Sequence, residues 1–87
     1  MYWKIILNQT TGAVELCKDD TILVRREWAE ARNTSQEILN ALTSIKEEQG
    51  IEWAQVSEFK LELDLPPHST ARRIAETFQN TYTTFVA

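Results

Sequence analysis

One cysteine (Cys17), one histidine (His68), two glycines and two prolines stand in the 87 residues, and each scarcity removes a class of explanation. A lone cysteine makes no internal disulfide. Cys17 sits inside an apolar run, where a thiol behaves as a small buried hydrophobe. A zinc site needs about four Cys, His or carboxylate ligands at short spacings, and a Cys–His nucleophilic pair needs an electropositive pocket that nothing in the sequence suggests. No metal or other cofactor is expected. The longest apolar runs, Ile5-Ile6-Leu7 and Ile22-Leu23-Val24, fall far short of the roughly 20 residues that span a bilayer, so no membrane partner is expected. Met1-Tyr2-Trp3-Lys4 shows no basic region leading into an apolar stretch and a small-residue cleavage site, and the expected location is the cytoplasm. Positive charge is also short. Nine Lys and Arg face thirteen Asp and Glu, for a formal net charge of −4, whereas a nucleic-acid binder shows a net basic stripe, so direct nucleic-acid binding is not expected.

The residues present describe an ordered α/β chain. A hydrophobic fraction of 43% with 25% charged residues matches globular averages, and the length allows one core, so residues 1–87 are expected to form a single domain to which a partner adds stability. Residues 2–9 are rich in β-branched and aromatic types and end at Thr10-Thr11-Gly12, a strand followed by a turn. Residues 13–18 form a second strand that stops at Lys18-Asp19-Asp20, and residues 21–28 form a third. Connections this short make antiparallel pairs, hence a meander. At Thr34 the period changes. Thr34-Ser35-Gln36-Glu37 has the form of a capping box, Ile38, Leu39, Leu42 and Ile45 make an apolar stripe, and Gly50 is a natural stop, so a helix is predicted near 34–49. Phe59, Leu61, Leu63 and Leu65 alternate with Lys60, Glu62 and Asp64, a strand covered on one face and ended by Pro66-Pro67. Ser69 or Thr70 then caps a second helix near 69–85, with Ile74, Phe78, Tyr82 and Phe85 as its stripe. Thr81, Thr83 and Thr84 lower its propensity. The predicted order is β-β-β-α-β-α, with helices packed on a mixed sheet.

Each candidate site has a plainer explanation. Asp64 with Glu62 has the residue types of a metal or acid/base pair, but such chemistry needs further carboxylates converging on Mg²⁺, including one from the first strand, where Lys4, Asn8 and Gln9 offer none. A solvated strand face accounts for both. The segment Leu65–Thr70 precedes a helix, with Arg72 and Arg73 close behind, yet it has no glycine to cradle a phosphate, so an ordinary cap with two solvated arginines is expected. Trp3, Trp28, Trp53 and Tyr82 are not interleaved with a basic groove and are expected to fill core and interface rather than stack on bases. The helix stripes are wider than cover for a sheet requires, because Leu39 and Ala41 flank one and Ala71 and Ala75 the other. The small Ala71 and Ala75 would let another helix approach closely.

Two segments carry a family resemblance. Arg32-Asn33-Thr34-Ser35-Gln36-Glu37-Ile38-Leu39 is similar to R-x-H-S-E-x-L-L at the first long helix of the TsaB (YeaZ) family, the dimerisation subunit of the bacterial complex that makes N6-threonylcarbamoyladenosine in tRNA. Pro66-Pro67-His68-Ser69-Thr70-Ala71-Arg72-Arg73-Ile74-Ala75 resembles that family's G-P-G-S-F-T-G-L-R-I-G. The resemblance covers nearly all of this chain and about the first half of a family member. Here Asn8 stands where the family has an aspartate after its first strand, Thr34 and Gln36 replace H and E, and Pro67 and Ala71 replace glycines. The resemblance implies a ribonuclease H-like, actin-like half-domain. It also implies a non-catalytic interaction module that pairs through its two helices, as a homodimer or with a TsaD-like catalytic subunit, using Ile38, Leu39, Leu42, Ile45, Ala71, Ile74, Ala75, Phe78 and Tyr82. The alternative is a small nucleotide-binding or hydrolytic domain using Asp64, Ser69, Thr70 and Arg73.

Overall fold

The structure, a computed structural model, describes residues 1–29 and 34–86, with side chains described up to residue 84. Arg32, Asn33 and the Phe85 side chain therefore lie outside the described parts. Strands β1 (Tyr2–Leu7), β2 (Thr11–Lys18) and β3 (Thr21–Ala29) lead to helix α1 (Thr34–Gln49), a 3-10 turn at Trp53–Gln55, strand β4 (Glu58–Leu63) and helix α2 (Thr70–Val86). The sheet order is β3-β2-β1-β4. The meander is antiparallel and β4 lies parallel to β1, so the sheet is mixed.

Local turn and cap chemistry sets where the elements end. β1 stops at Leu7 rather than residue 9 because Asn8 turns the chain: its Oδ1 accepts from the Thr10 and Thr11 backbone N–H at 2.9 and 2.8 Å, and its own N–H donates to the Thr11 carbonyl at 3.0 Å. An asparagine side chain imitates a backbone turn in this way. The second hairpin turns through Asp19 at φ 55°, a left-handed conformation that aspartate tolerates among non-glycine residues. α1 ends before Gly50 at φ 62°, as a left-handed cap requires. β4 ends at Leu63 rather than residue 65, although Asp64 N–H still donates to the Leu7 carbonyl at 2.8 Å. α2 begins behind Ser69, whose hydroxyl accepts weakly from the Arg72 N–H at 3.4 Å.

Both helices cover one face of the sheet. On that face Trp3, Ile5 and Leu7 of β1, Val14 and Leu16 of β2 and Phe59 of β4 meet Ile38, Leu42 and Ile45 of α1 and Ala75 and Tyr82 of α2, with Val56 between the layers. Trp3 is fully buried, and its Nε1 donates to the Tyr82 hydroxyl at 3.0 Å. The opposite face is open and charged. Lys4 pairs with Glu62 at 3.0 Å, Arg25 reaches both Glu15 and Glu27, and the Lys60 ammonium stands 4.2 Å from the centre of the Tyr2 ring. Glu62 belongs to this solvated face, as expected. Glu15 retains only 2% exposure, and Arg25 stabilises its buried carboxylate.

Candidate functional site

The candidate site is a valley between the two helices on the outer side of the helical layer. One part, about 210 Å³, is lined by Leu39 and Leu42 of α1, Trp53 of the 3-10 turn and Phe78, Thr81 and Tyr82 of α2. A second hollow shares Phe78 and continues towards the helix N-termini, lined by Ser35, Thr70, Arg73, Ile74 and Thr77. Leu39 is 48% exposed, a large aliphatic side chain standing beside a depression that is itself almost all carbon.

The floor is held rigid by an aromatic cluster. Tyr82 packs edge-on to Trp53 with ring centres 6.2 Å apart and lies 5.2 Å from Phe59, while Trp3 lies 6.1 Å from Trp53. The Tyr82 hydroxyl accepts from Trp3 and stands 2.8 and 2.7 Å from the Trp53 and Val56 carbonyls, which share its single proton. Burial pushes its pKa up, while the hydrogen bond from Trp3 pulls the other way. The Lys46 ammonium lies 5.6 Å from the centre of the Trp53 ring, at the rim. A valley with carbon walls and a fixed floor can exclude water from an apolar partner. It offers no nucleophile–base pair.

The residues predicted for helix pairing divide by depth. Ile38, Ile45 and Ala75 have no exposed surface, which corrects their assignment to an interface: the chain's own sheet already covers them, and Ala75 gives its close approach to the internal core rather than to another helix. Leu42 and Tyr82 are buried but form the valley's inner wall. Ala71, Ile74 and Phe78 are half-buried, and Leu39 stands outermost. Trp53, expected to fill core and interface, also lines the valley, as do Thr81 and Ser35, which were not singled out for it. Trp53 lies outside both helices, so helical periodicity could not find it.

The other candidates fall apart. Asp64 is exposed at the end of β4, and the Ser69 hydroxyl is engaged in capping α2. The expectation of two solvated arginines holds only for Arg73. Arg72 is half-buried and donates to the Leu65 carbonyl at 2.9 Å, tying the end of the proline segment to α2. Cys17 is buried, and its thiol pKa is raised by that burial, so it stays protonated at neutral pH. Among the described residues no group of three or more His, Cys, Asp or Glu side chains could hold a metal ion, and no helix is long and apolar enough to cross a membrane.

No family model matches this sequence, and no curated protein matches it. Among solved structures, YeaZ from Pseudomonas aeruginosa is similar in fold, with a TM-score of 0.76 at 17% identity over 99% of this chain. The chain spans 40% of the length of that protein.

Proposed function

We propose that this chain is a non-catalytic interaction and dimerisation module, related to the TsaB subunit that serves tRNA threonylcarbamoyladenosine formation, and that it works in the cytoplasm by docking its α1/α2 valley on the helices of a partner. The partner is a second copy or a TsaD-like catalytic subunit. The observation that carries this is the valley itself: an apolar hollow flanked by the exposed Leu39, built on the two helices that resemble the family's pairing helices. The likeness to YeaZ, with its mixed sheet and two helices, supports the same reading and its ribonuclease H-like ancestry. Burying the valley would gain roughly 25 cal/mol per Å² of apolar surface.

Leu39→Asp tests it. The residue is exposed, so the variant should keep its circular dichroism and melting point, while a charge set against an apolar partner surface costs far more than it does in water. Binding to a TsaD-like subunit, or self-association followed by light scattering, should fall by at least about tenfold. Unchanged association in the folded variant would place the contact elsewhere.

A further inference from the structure

Strand β3 ends the sheet, with β2 on one side and no strand among the described residues on the other. A free edge of this length is a template for another strand, and β3 has neither the proline nor the lysine with which such edges are commonly blunted. Its register with β2 sets the facing of each residue. Val24, Arg26 and Trp28 lie opposite Leu16, Val14 and Gly12 on the helix-covered side, and Arg25 and Glu27 lie opposite Glu15 and Ala13 on the open side. Read about Arg26, the segment Val24-Arg25-Arg26-Glu27-Trp28 has twofold character, with base mirrored by acid and a β-branched residue by an aromatic one.

We propose that a second copy of this chain pairs along this edge, β3 antiparallel to β3, with the twofold axis at Arg26. That operation keeps the faces of the two sheets in common and sets Arg25 opposite Glu27 of the partner subunit twice over, closing a ring of four alternating charges on the open side. On the helix side it sets Val24 against Trp28 of the partner subunit, the kind of aliphatic–aromatic pair that stabilises antiparallel neighbours. The one like-charge contact, between the two Arg26 side chains, is offset within each chain by an ion pair from Arg26 to Glu48 of α1. The contact ends at the bulge between Leu16 and Cys17, which leaves Leu23 outside the regular register. β4 is the other sheet edge. Centred on Lys60, the same operation sets Glu58 against Glu62 of the partner subunit, and centred on Leu61 it sets Glu58 against Asp64 of the partner subunit, so these two central registers oppose acids at both ends, as the β3 register centred on Arg26 does not. This contact is independent of the helix valley and uses a different surface.

Sedimentation across a dilution series on the full chain and its single variants decides it. Glu27 is an exposed side chain, and Glu27→Arg should leave the fold intact while turning both cross-chain pairs repulsive, weakening self-association about tenfold or more. Arg26→Cys places two thiols at the axis, where opposed strand residues have Cα separations of about 4.5–5.5 Å, within disulfide reach. Mild oxidation should therefore give a covalent dimer, whereas Glu27→Cys, displaced from the axis, should not, and the buried Cys17 of the parent chain serves as a further control. A parent chain that stays monomeric at high concentration overturns the proposal. So does a dimer indifferent to Glu27→Arg, or one that cross-links equally at both cysteine positions. A dimer that Leu39→Asp dissociates while Glu27→Arg does not would support the helix valley and reject the edge.

Discussion

Tyr82 shows how much one hydroxyl can fix. It joins the first strand, the 3-10 turn and the last helix at a single oxygen, and it is buried to 9% exposure. Tyr82→Phe keeps the ring and strands the Trp3 indole N–H, so it should cost about 1–3 kcal/mol in urea unfolding, with m unchanged. The same burial sets a pH dependence. An acid whose folded pKa is raised holds its proton more tightly in the folded state, so the stability that Tyr82 contributes is present below its ordinary value of 10.0 and is lost as pH rises through the higher folded value. The alkaline fall in melting temperature should therefore be shallower in Tyr82→Phe than in the parent. Gly12 makes the complementary point about space. A Cβ there would overlap the Trp28 ring, so Gly12→Ala should push the indole outwards, red-shift its fluorescence and cost about 1–3 kcal/mol. Neither residue announces this in the sequence. Tyr82 is 79 positions from Trp3, and no local pattern couples them.

At the level of elements, periodicity was enough to order the chain. Alternation at 59–65, the capping residues at 34–37 and the Ile74/Phe78/Tyr82 stripe fall on β4, α1 and α2 with shifts of one or two residues at their ends. The failures have a common cause. An apolar stripe reads the same whether the chain's own sheet or another molecule covers it, so Ile38, Ile45 and Ala75 were indistinguishable from interface residues until the sheet was in place. In α1 Leu39, one step off the line of Ile38, Leu42 and Ile45, keeps its surface, and in α2 Ala71, Ile74 and Phe78 keep part of theirs. The buried Glu15 was likewise illegible, because its shield, Arg25, comes from the next strand. In α2 the threonines behave as their type suggests: the Thr77, Thr83 and Thr84 hydroxyls donate to the carbonyls four residues back, at 2.9, 2.8 and 2.9 Å. Such back-bonding slightly destabilises and bends a helix. Replacing the exposed Thr83 and Thr84 together with alanine should raise stability by about 1 kcal/mol, read as a higher midpoint in thermal unfolding.

At the scale of the whole molecule, one face of the sheet carries paired charges and the helical layer on the other holds the carbon-walled valley. On the proposed binding role the parent chain should turn over neither ATP nor nucleic acid, and a hydrolytic rate lost in Asp64→Asn would refute the non-catalytic proposal. One further consequence follows from the placement of β4 beside β1, in which Trp3 neighbours Phe59 although the two lie far apart along the chain. The β1–β2 and β2–β3 hairpins close over a few residues, whereas β4 can join only after the intervening chain, α1 included, has been gathered, and such long closures delay contact formation. Folding should thus proceed from the meander towards β4 and α2. In pulsed hydrogen exchange the β2 amides should gain protection before those of β4, and the native protein should open in the reverse order, releasing α2 first. The aromatic floor of the valley would then be the last part of the molecule to form and the first to be lost.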